Sequence, residues 1–160
     1  MTKSNKIVEI GGHKYSISRL PVLAQRAGEP NQLDLSRRVM PVYQKLEPEA
    51  LKRLGSLYAE IPDSVDEEAQ KKLRIMCSSR VFSEYITIAA SEFNDADFRL
   101  ISRWCLQLCE RVEDNMGLGK VMTNDGVLAF DDIDANQVLA LVYEVLVENL
   151  GSFFRKAELQ

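Results

Sequence analysis

The sequence predicts a mainly α-helical, single-domain bundle with a small N-terminal β-hairpin and a second short hairpin before the C-terminal helix. Three observations favour this fold class. Apolar residues recur every three or four positions over long stretches, glycine-bearing turns mark two β-patterned segments, and a long apolar stretch fills the last quarter. We predict one domain over residues 1–160, with a hairpin at 6–18, a helical body at 21–114, a hairpin at 117–130 and a final helix at 134–154.

Composition restricts the possible classes of function. Of the 160 residues, 46% are hydrophobic, which is enough for a buried core. The net charge of −4 argues against a nucleic-acid surface, because such surfaces are usually basic. No uncharged run approaches the ~20 residues that span a bilayer, the first residues lack the apolar segment of a secretory signal, and the three cysteines show no framework spacing. We therefore expect a soluble cytosolic protein that binds neither nucleic acid nor membrane.

The first element is the hairpin at residues 6–18, which turns at Gly11-Gly12. Glycine is favoured there because a two-residue hairpin turn needs positive φ. Folding at this point brings apolar side chains of both strands onto one face, which should lie on the helices that follow. The predicted pairs are Ile10 with His13, Val8 with Tyr15, Lys6 with Ile17, and Glu9 with Lys14.

Prolines divide the first part of the helical body. Pro21 suits the first position of a short helix, which the Gly28-Glu29-Pro30 stretch ends. Proline inside a helix removes a backbone donor and crowds the preceding turn. We therefore expect the next helix, at residues 34–46, to be kinked or split at Pro41, and a further helix to start at Pro48.

Two longer helices are predicted over residues 66–91 and 94–113. Ser64 or Asp66 caps the first of them, because a short polar side chain can accept the free N–H groups of the first turn. Apolar residues recur on one face of each helix. They are Val65, Ala69, Leu73, Met76, Phe82 and Ile86 in the first, and Phe98, Ile101, Cys105, Leu108 and Val112 in the second.

Residues 117–130 break the helical pattern, and Asp125-Gly126 is a strong two-residue hairpin turn. After this hairpin, Asp134 and Gln137 have the spacing of a capping box at the start of the final helix. Folding at the turn places four side chains on one face of the hairpin. They are Val121, Thr123, Leu128 and Phe130.

No group of residues predicts a catalytic, cofactor or metal site. The Asp132–Asn136 run has the first ligand positions of a calcium loop, but Gln137 stands where a glycine is required. Cys105 and Cys109 lie one helical turn apart, yet the single histidine, His13, leaves any metal site incomplete. We therefore expect apolar core thiols and a protein that is not an enzyme.

The functional signal is the apolar excess of the final helix. Gln137, Glu144 and Glu148 form a thin polar stripe, and apolar side chains cover most of the remaining surface. Such a helix either lies at the centre of a bundle or lends one side to a partner, and the central position is favoured for Val138, Val142 and Val145. Aromatic rings near a helix end are good candidates for a partner contact. The residues predicted to contact a partner are Phe153, Phe154, Leu150, Leu146 and Val142.

Three parts of the chain carry a resemblance to a known family. The first is IVEIGGHKYSISRLPVLAQ at residues 7–25, and the second is SRRVMPVYQKL at residues 36–46, with a proline inside a helical segment. The third combines Asp125-Gly126, the run 130–133 and the ending ENLGSFF at residues 148–154. In these features the chain resembles the tail assembly chaperones of bacteriophages.

The resemblance implies a stoichiometric, non-catalytic role in the cytoplasm of the bacterial host. Such chaperones bind the tape measure protein, a long, helical and poorly soluble chain, and keep it in solution until the tail tube assembles around it. They are absent from the finished virion. Some are also made in a longer form by frameshifting, and the extension recruits the tail tube protein.

Two other hypotheses stay open. The same apolar surfaces would serve a structural tail or adaptor component that remains in the virion. They would equally serve a small phage inhibitor that acts on a host protein.

Overall fold

The structure, a computed structural model, describes the backbone of residues 5–113 and 117–158, and their side chains except those at 79, 82, 83, 86 and 152–158. These residues form four helices and a four-stranded antiparallel sheet in the order β1-β2-β3-β4. The prediction of a mainly helical protein is confirmed. The elements are β1 (Lys6–Ile10), β2 (His13–Ile17), α1 (Gln32–Ala59), α2 (Glu67–Glu92), α3 (Asp95–Gln107), β3 (Cys109–Glu113), β4 (Gly117–Lys120) and α4 (Ala135–Glu158).

The chain divides into two compact units. The first combines Met1–Arg37 with Asp95–Gln160 and contains the sheet, α3, α4 and the start of α1. The second unit, Arg38–Asn94, contains the rest of α1 and all of α2. That the whole chain forms one domain stays a prediction.

The N-terminal hairpin is confirmed. Its register pairs Ile10 with His13 and Val8 with Tyr15, as the turn at Gly11-Gly12 predicts. Both glycines have positive φ, 61° at Gly11 and 80° at Gly12, which is the conformation that a type I′ turn needs. Tyr15 is fully buried, so the predicted inner face of the hairpin does lie against the rest of the first unit.

The prediction of a helix over residues 94–113 is wrong in its last third. Helix α3 ends at Gln107, and Cys109–Glu113 forms strand β3 instead. This strand pairs with β2, so that Ile17 lies opposite Cys109. The helical prediction failed because two apolar residues three positions apart, Cys109 and Val112, fit a helical period, whereas pairing with a strand that is distant in sequence made this stretch a strand. The confirmed buried residues of α3 include Ile101 and Cys105.

The second hairpin lies earlier than predicted. Its two strands are β3 and β4, which pair from Glu110 opposite Lys120 to Glu113 opposite Gly117. The turn predicted at Asp125-Gly126 exists, but it belongs to a smaller loop after β4 that carries one isolated bridge.

That smaller loop has three residues rather than two. The Thr123 N–H donates to the Val127 carbonyl over 2.9 Å, and Gly126 takes a φ of 83°, which is typical of a type I turn followed by a left-handed residue. Met122 therefore lies opposite Leu128. The predicted face is wrong, because adding one residue to the loop moves Leu128 to the other side from Val121.

Residues 21–31 are not helical, so the short helix predicted from Pro21 is wrong. The segment folds back on the start of α1, where the Gln32 N–H donates to the Pro21 carbonyl over 2.8 Å and the Leu33 N–H to the Val22 carbonyl over 3.1 Å. The backbone groups at the start of α1 are thereby satisfied by the loop itself. Asn31 completes the cap, since its Oδ1 accepts from the Asp34 N–H at 2.8 Å.

Helix α1 continues through both Pro41 and Pro48, so the predicted separate helices are wrong. Each proline leaves one carbonyl of the preceding turn without its usual helical donor. Those carbonyls belong to Arg37 and Gln44, which are both exposed. Water can therefore satisfy them, and the turns on either side keep the helix continuous.

Helix α2 matches its predicted range closely, and the cap at Asp66 is confirmed because its Oδ1 accepts from the Ala69 N–H at 2.8 Å. The core of the second unit contains Val39, Leu57 and Val81. Met76, predicted on the buried face, is exposed, so that part of the prediction is wrong. The side chains of the predicted Phe82 and Ile86 lie outside the described residues.

Helix α4 begins with the predicted capping box. The Gln137 N–H donates to Asp134 Oδ1 at 2.9 Å, and the Asp134 N–H donates to Gln137 Oε1 at 3.4 Å. The helix bends at Leu150, where φ is −119° and ψ is 16°. Around it lies the core of the first unit, whose fully buried members include Tyr15, Ile17, Leu35, Ile101, Cys105, Cys109, Val121, Leu141, Val145 and Leu150.

Candidate partner-binding surfaces

The structure places the predicted contact residues of α4 at different depths. Val142 is 6% exposed and Leu150 is 1% exposed, so both lie in the core of the first unit, while Leu146 is partly buried. The side chains of Phe153 and Phe154 lie outside the described residues. Val142 is thus a core residue of the first unit. Partner binding by the end of α4 stays a prediction.

The thin polar stripe of α4 supports the N-terminal hairpin. Glu144 forms an ion pair with Lys6 over 3.0 Å, and Glu148 forms one with Arg19 over 2.8 Å. Gln137, the third member of the stripe, lies so close to Gly11 that a Cβ built there would be 2.4 Å from its Nε2. The polar stripe of this helix is therefore occupied within the first unit.

Asn149 fixes the segment after β2 to α4. Its Nδ2 donates to the Val145 carbonyl at 2.9 Å and to the Ser18 carbonyl at 3.3 Å, while its Oδ1 accepts from the Leu20 N–H at 2.7 Å. The Gln32 Nε2 lies 3.5 Å from the same oxygen. This buried amide, with four hydrogen-bond partners, joins α4 to the segment after β2 and to the start of α1. An asparagine in the apolar second half of the helix was the available sequence signal for it.

Arg111 organises a second polar cluster, at the inner face of the sheet. Its buried guanidinium donates from Nη2 to Tyr15 Oη at 3.2 Å and to Asp132 Oδ2 at 3.1 Å, and it stacks 4.2 Å from the Phe130 ring centroid. Asp132 also lies 3.2 Å from His13 Nε2. The hydrogen bond from Arg111 is the main cause that lowers the pKa of the Asp132 carboxyl. This cluster attaches the segment before α4 to the sheet.

The buried thiols have no reactive character. Burial raises the pKa of Cys109 to about 12 and that of Cys105 well above its ordinary value. Both thiols therefore stay protonated. Because a cysteine attacks substrates and binds metals as the thiolate, neither thiol is suited to these roles. Among the described residues no group of three or more His, Cys, Asp and Glu side chains could hold a metal ion. In the same part of the chain, every helix is too short or too polar to cross a bilayer.

Exposed apolar side chains lie at several places in the first unit. Val22, Leu23 and Leu33 lie close together, because the Leu33 N–H is bonded to the Val22 carbonyl. Ile7 and Leu118 point away from the core on the other face of the sheet. Exposed apolar groups that lie next to each other are typical of protein-binding surfaces.

In the second unit, the exposed apolar residues include Ile75 and Met76 on α2, which are each 65% exposed. Lys71 and Lys72 precede them by one helical turn and are exposed too. The sequence prediction missed this group because it assigned Met76 to the buried stripe. The available signal was Ile75, which lies off that stripe.

Adjacent exposed apolar side chains, such as Ile75 with Met76 and Val22 with Leu23, are typical of a protein that acts through contacts with other proteins. The chain matches the family described as phage tail assembly chaperone protein, TAC, over residues 11–160. It therefore belongs to the phage tail assembly chaperones, which confirms the resemblance and assigns it a role in tail assembly through interaction with phage tail proteins. Comparisons with curated proteins and with solved structures gave no match.

Proposed function

We propose that this chain binds the tape measure protein of its phage in the host cytoplasm and keeps it soluble until the tail tube assembles. The observation that carries the proposal is the family match over residues 11–160. The role is stoichiometric and non-catalytic, as membership of the family implies. A tape measure protein is long and helical, so its apolar stripes need cover before the tube surrounds them.

Burial of apolar helix surface supplies the binding free energy. Each Å² of apolar surface removed from water contributes roughly 25 cal/mol, and an amphipathic helix can lie against an apolar face without any reactive group. The exposed pair Ile75 and Met76 on α2 offers such a face. The net charge of −4 keeps the loaded complex soluble.

Co-expression tests this proposal directly. The tape measure protein of the same phage is expressed alone, with this chain, or with an unrelated acidic helical protein of similar size. We expect only this chain to move the tape measure protein from the pellet to the soluble fraction and to co-purify with it. Equal solubility in all three cultures would contradict the proposal.

The proposal includes release before the particle is complete. A structural tail or adaptor component would use similar apolar surfaces but would remain in the virion. Mass spectrometry of purified virions separates these functions, because a chaperone is abundant in lysates of infected cells and absent from the particle. Recovery of this chain at a fixed copy number per virion would favour the structural function.

The proposal also includes a longer, frameshifted form whose extension recruits the tail tube protein, as the resemblance implies. Immunoblotting of infected cells with antibodies against this chain tests it. We expect a second, larger product that co-precipitates with the tube protein, while the shorter product alone does not.

Phe153 and Phe154 stay predicted contacts with the partner. We expect alanine at both positions to weaken co-purification and to leave the thermal midpoint nearly unchanged, since α4 is held in the core by residues before them. As a control, Val142→Ala should lower stability by about 1–2 kcal/mol because Val142 is only 6% exposed. A comparable loss of stability on changing the two phenylalanines would mark them as core residues.

A further inference from the structure

The outward side of α2 carries an unpartnered apolar pair with a basic border. We call the group Lys71, Lys72, Ile75 and Met76 the α2 face. Ile75 and Met76 are each 65% exposed, so a partner that covers them would remove two large apolar side chains from water. Lys72 lies one turn before both of them and Lys71 lies one turn before Ile75, so the four side chains form one continuous patch on the helix.

Other positions along α2 already make contacts within the second unit. Arg53 of α1 donates to the Glu84 carboxylate at 3.3 Å, the hydroxyls of Tyr58 and Ser78 are 2.7 Å apart, and Lys45 pairs with Glu92. Among the described side chains of α2, Val81 alone is buried. Polar contacts therefore join α2 to α1, while the side chains of Ile75 and Met76 stay exposed.

Charge indicates what would cover the α2 face. Lys71 and Lys72 have no hydrogen bond or ion pair within the described part of the chain, although the protein carries a net charge of −4. A second copy docked in parallel through the same patch would place lysine against lysine, and an antiparallel copy would place the lysines near Arg80, which already pairs with Glu84. Like charges that face each other in this way oppose self-association.

We propose that the α2 face binds an acidic amphipathic helix of the partner. The apolar side chains of that helix contact Ile75 and Met76, and its carboxylates pair with Lys71 and Lys72. The inference rests on the proposed function, because it assigns that helix to the tape measure protein. It adds the binding surface and the chemistry of the bound segment. Helices that bind in this way present anchors on one face and gain specificity from charges at the border.

The test uses helical peptides that tile the tape measure protein of the same phage, with dissociation constants measured by fluorescence anisotropy against the full chain. We expect the tightest segment to be acidic. The double change Ile75→Ser and Met76→Ser should weaken its binding by at least about tenfold, since central apolar anchors carry most of the energy of such contacts. The matched control is Val22→Ser with Leu23→Ser, which removes two adjacent, equally exposed side chains in the first unit and should change binding little.

A second pair of variants tests the charge. Lys71→Glu with Lys72→Glu should weaken binding of the acidic segment and reverse its dependence on salt, because added salt then screens a repulsion between like charges instead of an attraction between opposite ones. Circular dichroism should show unchanged helix content in all variants, since the four side chains are exposed.

The outcomes separate this inference from the proposed function. If the unchanged chain solubilises the tape measure protein but the change at Ile75 and Met76 behaves like the Val22 and Leu23 control, the α2 face is not the site and the proposed function stands. A tightest segment that is basic would also overturn the inference. If the unchanged chain forms a dimer that the Ile75 and Met76 change dissociates, the face is an interface between copies. Failure of the unchanged chain to solubilise the protein would reject the proposed function itself.

Discussion

A single amide side chain, that of Asn149, holds the segment after β2 against the last helix. Its oxygen accepts from the buried Leu20 N–H at 2.7 Å, and its nitrogen donates to the carbonyls of Ser18 and Val145. Removing one partner of a buried hydrogen bond leaves the other unsatisfied, which costs more than the net gain of forming the bond. The stability of the first unit should therefore depend strongly on this residue.

We expect Asn149→Ala to reduce the free energy of unfolding by about 2–3 kcal/mol, because several buried groups lose their partner at once. Urea unfolding followed by circular dichroism measures this. Gln44→Ala, which removes an exposed amide from α1, serves as the control and should be nearly neutral. A loss at Asn149 no larger than that of the control would show that water replaces the amide.

The contact between Asp132 and Arg111 gives stability a dependence on pH. Hydrogen bonding to Arg111 lowers the pKa of Asp132 in the folded chain below its unfolded value. Stabilisation from such a group is complete above the unfolded pKa, about 3.9, and is lost as the pH falls through the lower, folded pKa. Neutral pH should therefore favour the attachment of the segment before α4 to the sheet.

We expect Asp132→Asn to lower the urea midpoint at pH 7, and the difference from the unchanged chain to shrink as the pH falls below about 4. The neighbouring Asp131 is exposed, and Asp131→Asn provides a matched control that should alter neither the midpoint nor its pH dependence. A constant difference at all pH values would instead assign the effect of Asp132→Asn to altered packing rather than to ionisation.

At the scale of elements, the N-terminal hairpin and the start of α4 depend on each other through Gly11. Its φ of 61° disfavours other residues, and a Cβ there would lie 2.4 Å from Nε2 of Gln137. Gln137 is also a member of the capping box with Asp134. A side chain at position 11 would therefore strain the turn and disturb the cap at the same time.

Two glycine variants separate these effects. Gly12→Ala meets no atom within 4 Å, so it should cost about 1 kcal/mol of unfolding free energy from backbone strain alone. Gly11→Ala should cost about 2–3 kcal/mol, since the contact with Gln137 adds to a similar strain. Adding Gln137→Ala to Gly11→Ala should recover part of the loss. Equal losses for the two single variants would show that Gln137 moves aside freely.

Elements with local signals were predictable from the sequence. Two adjacent residues, Gly11 and Gly12, fix the register of the N-terminal hairpin. Asp66 and the pair Asp134 and Gln137 mark the starts of α2 and α4 through hydrogen bonds within the first helical turn. Strand β3 was not predictable in this way, because its identity depends on pairing with β2 across a long stretch of chain. Local rules fail where distant partners decide.

The continuity of α1 shows a second reason for failure. Pro41 and Pro48 remove hydrogen bonds to Arg37 and Gln44, and a sequence alone does not reveal that these residues face water. The same reason applies to the candidate binding surface. Periodicity placed Met76 on the buried stripe, but burial of a helix face depends on which elements pack against it, and α1 covers a different side.

For the whole molecule, the two units differ in how their helices are buried. Helix α4 contributes fully buried side chains such as Leu141 and Val145 to the core of the first unit, while Val81 is the one buried side chain among those described on α2. Regions with few buried apolar contacts open more readily. A chaperone gains from this arrangement, because a helix that is only partly covered can still accept a partner.

Amide hydrogen exchange of the full chain should reveal this difference. We expect the slowest exchange around Leu141–Val145 and clearly faster exchange in α2, since its opening exposes less apolar surface. Adding the acidic tape-measure peptide should slow exchange in α2 and leave α4 nearly unchanged, because binding stabilises the closed form of the helix it covers. The Ile75→Ser and Met76→Ser variant supplies the control, as its α2 should exchange at the same rate with and without peptide. Slow exchange in α2 of the free chain, equal to that of α4, would mean that the second unit is stable without a partner and that its exposed pair needs another explanation.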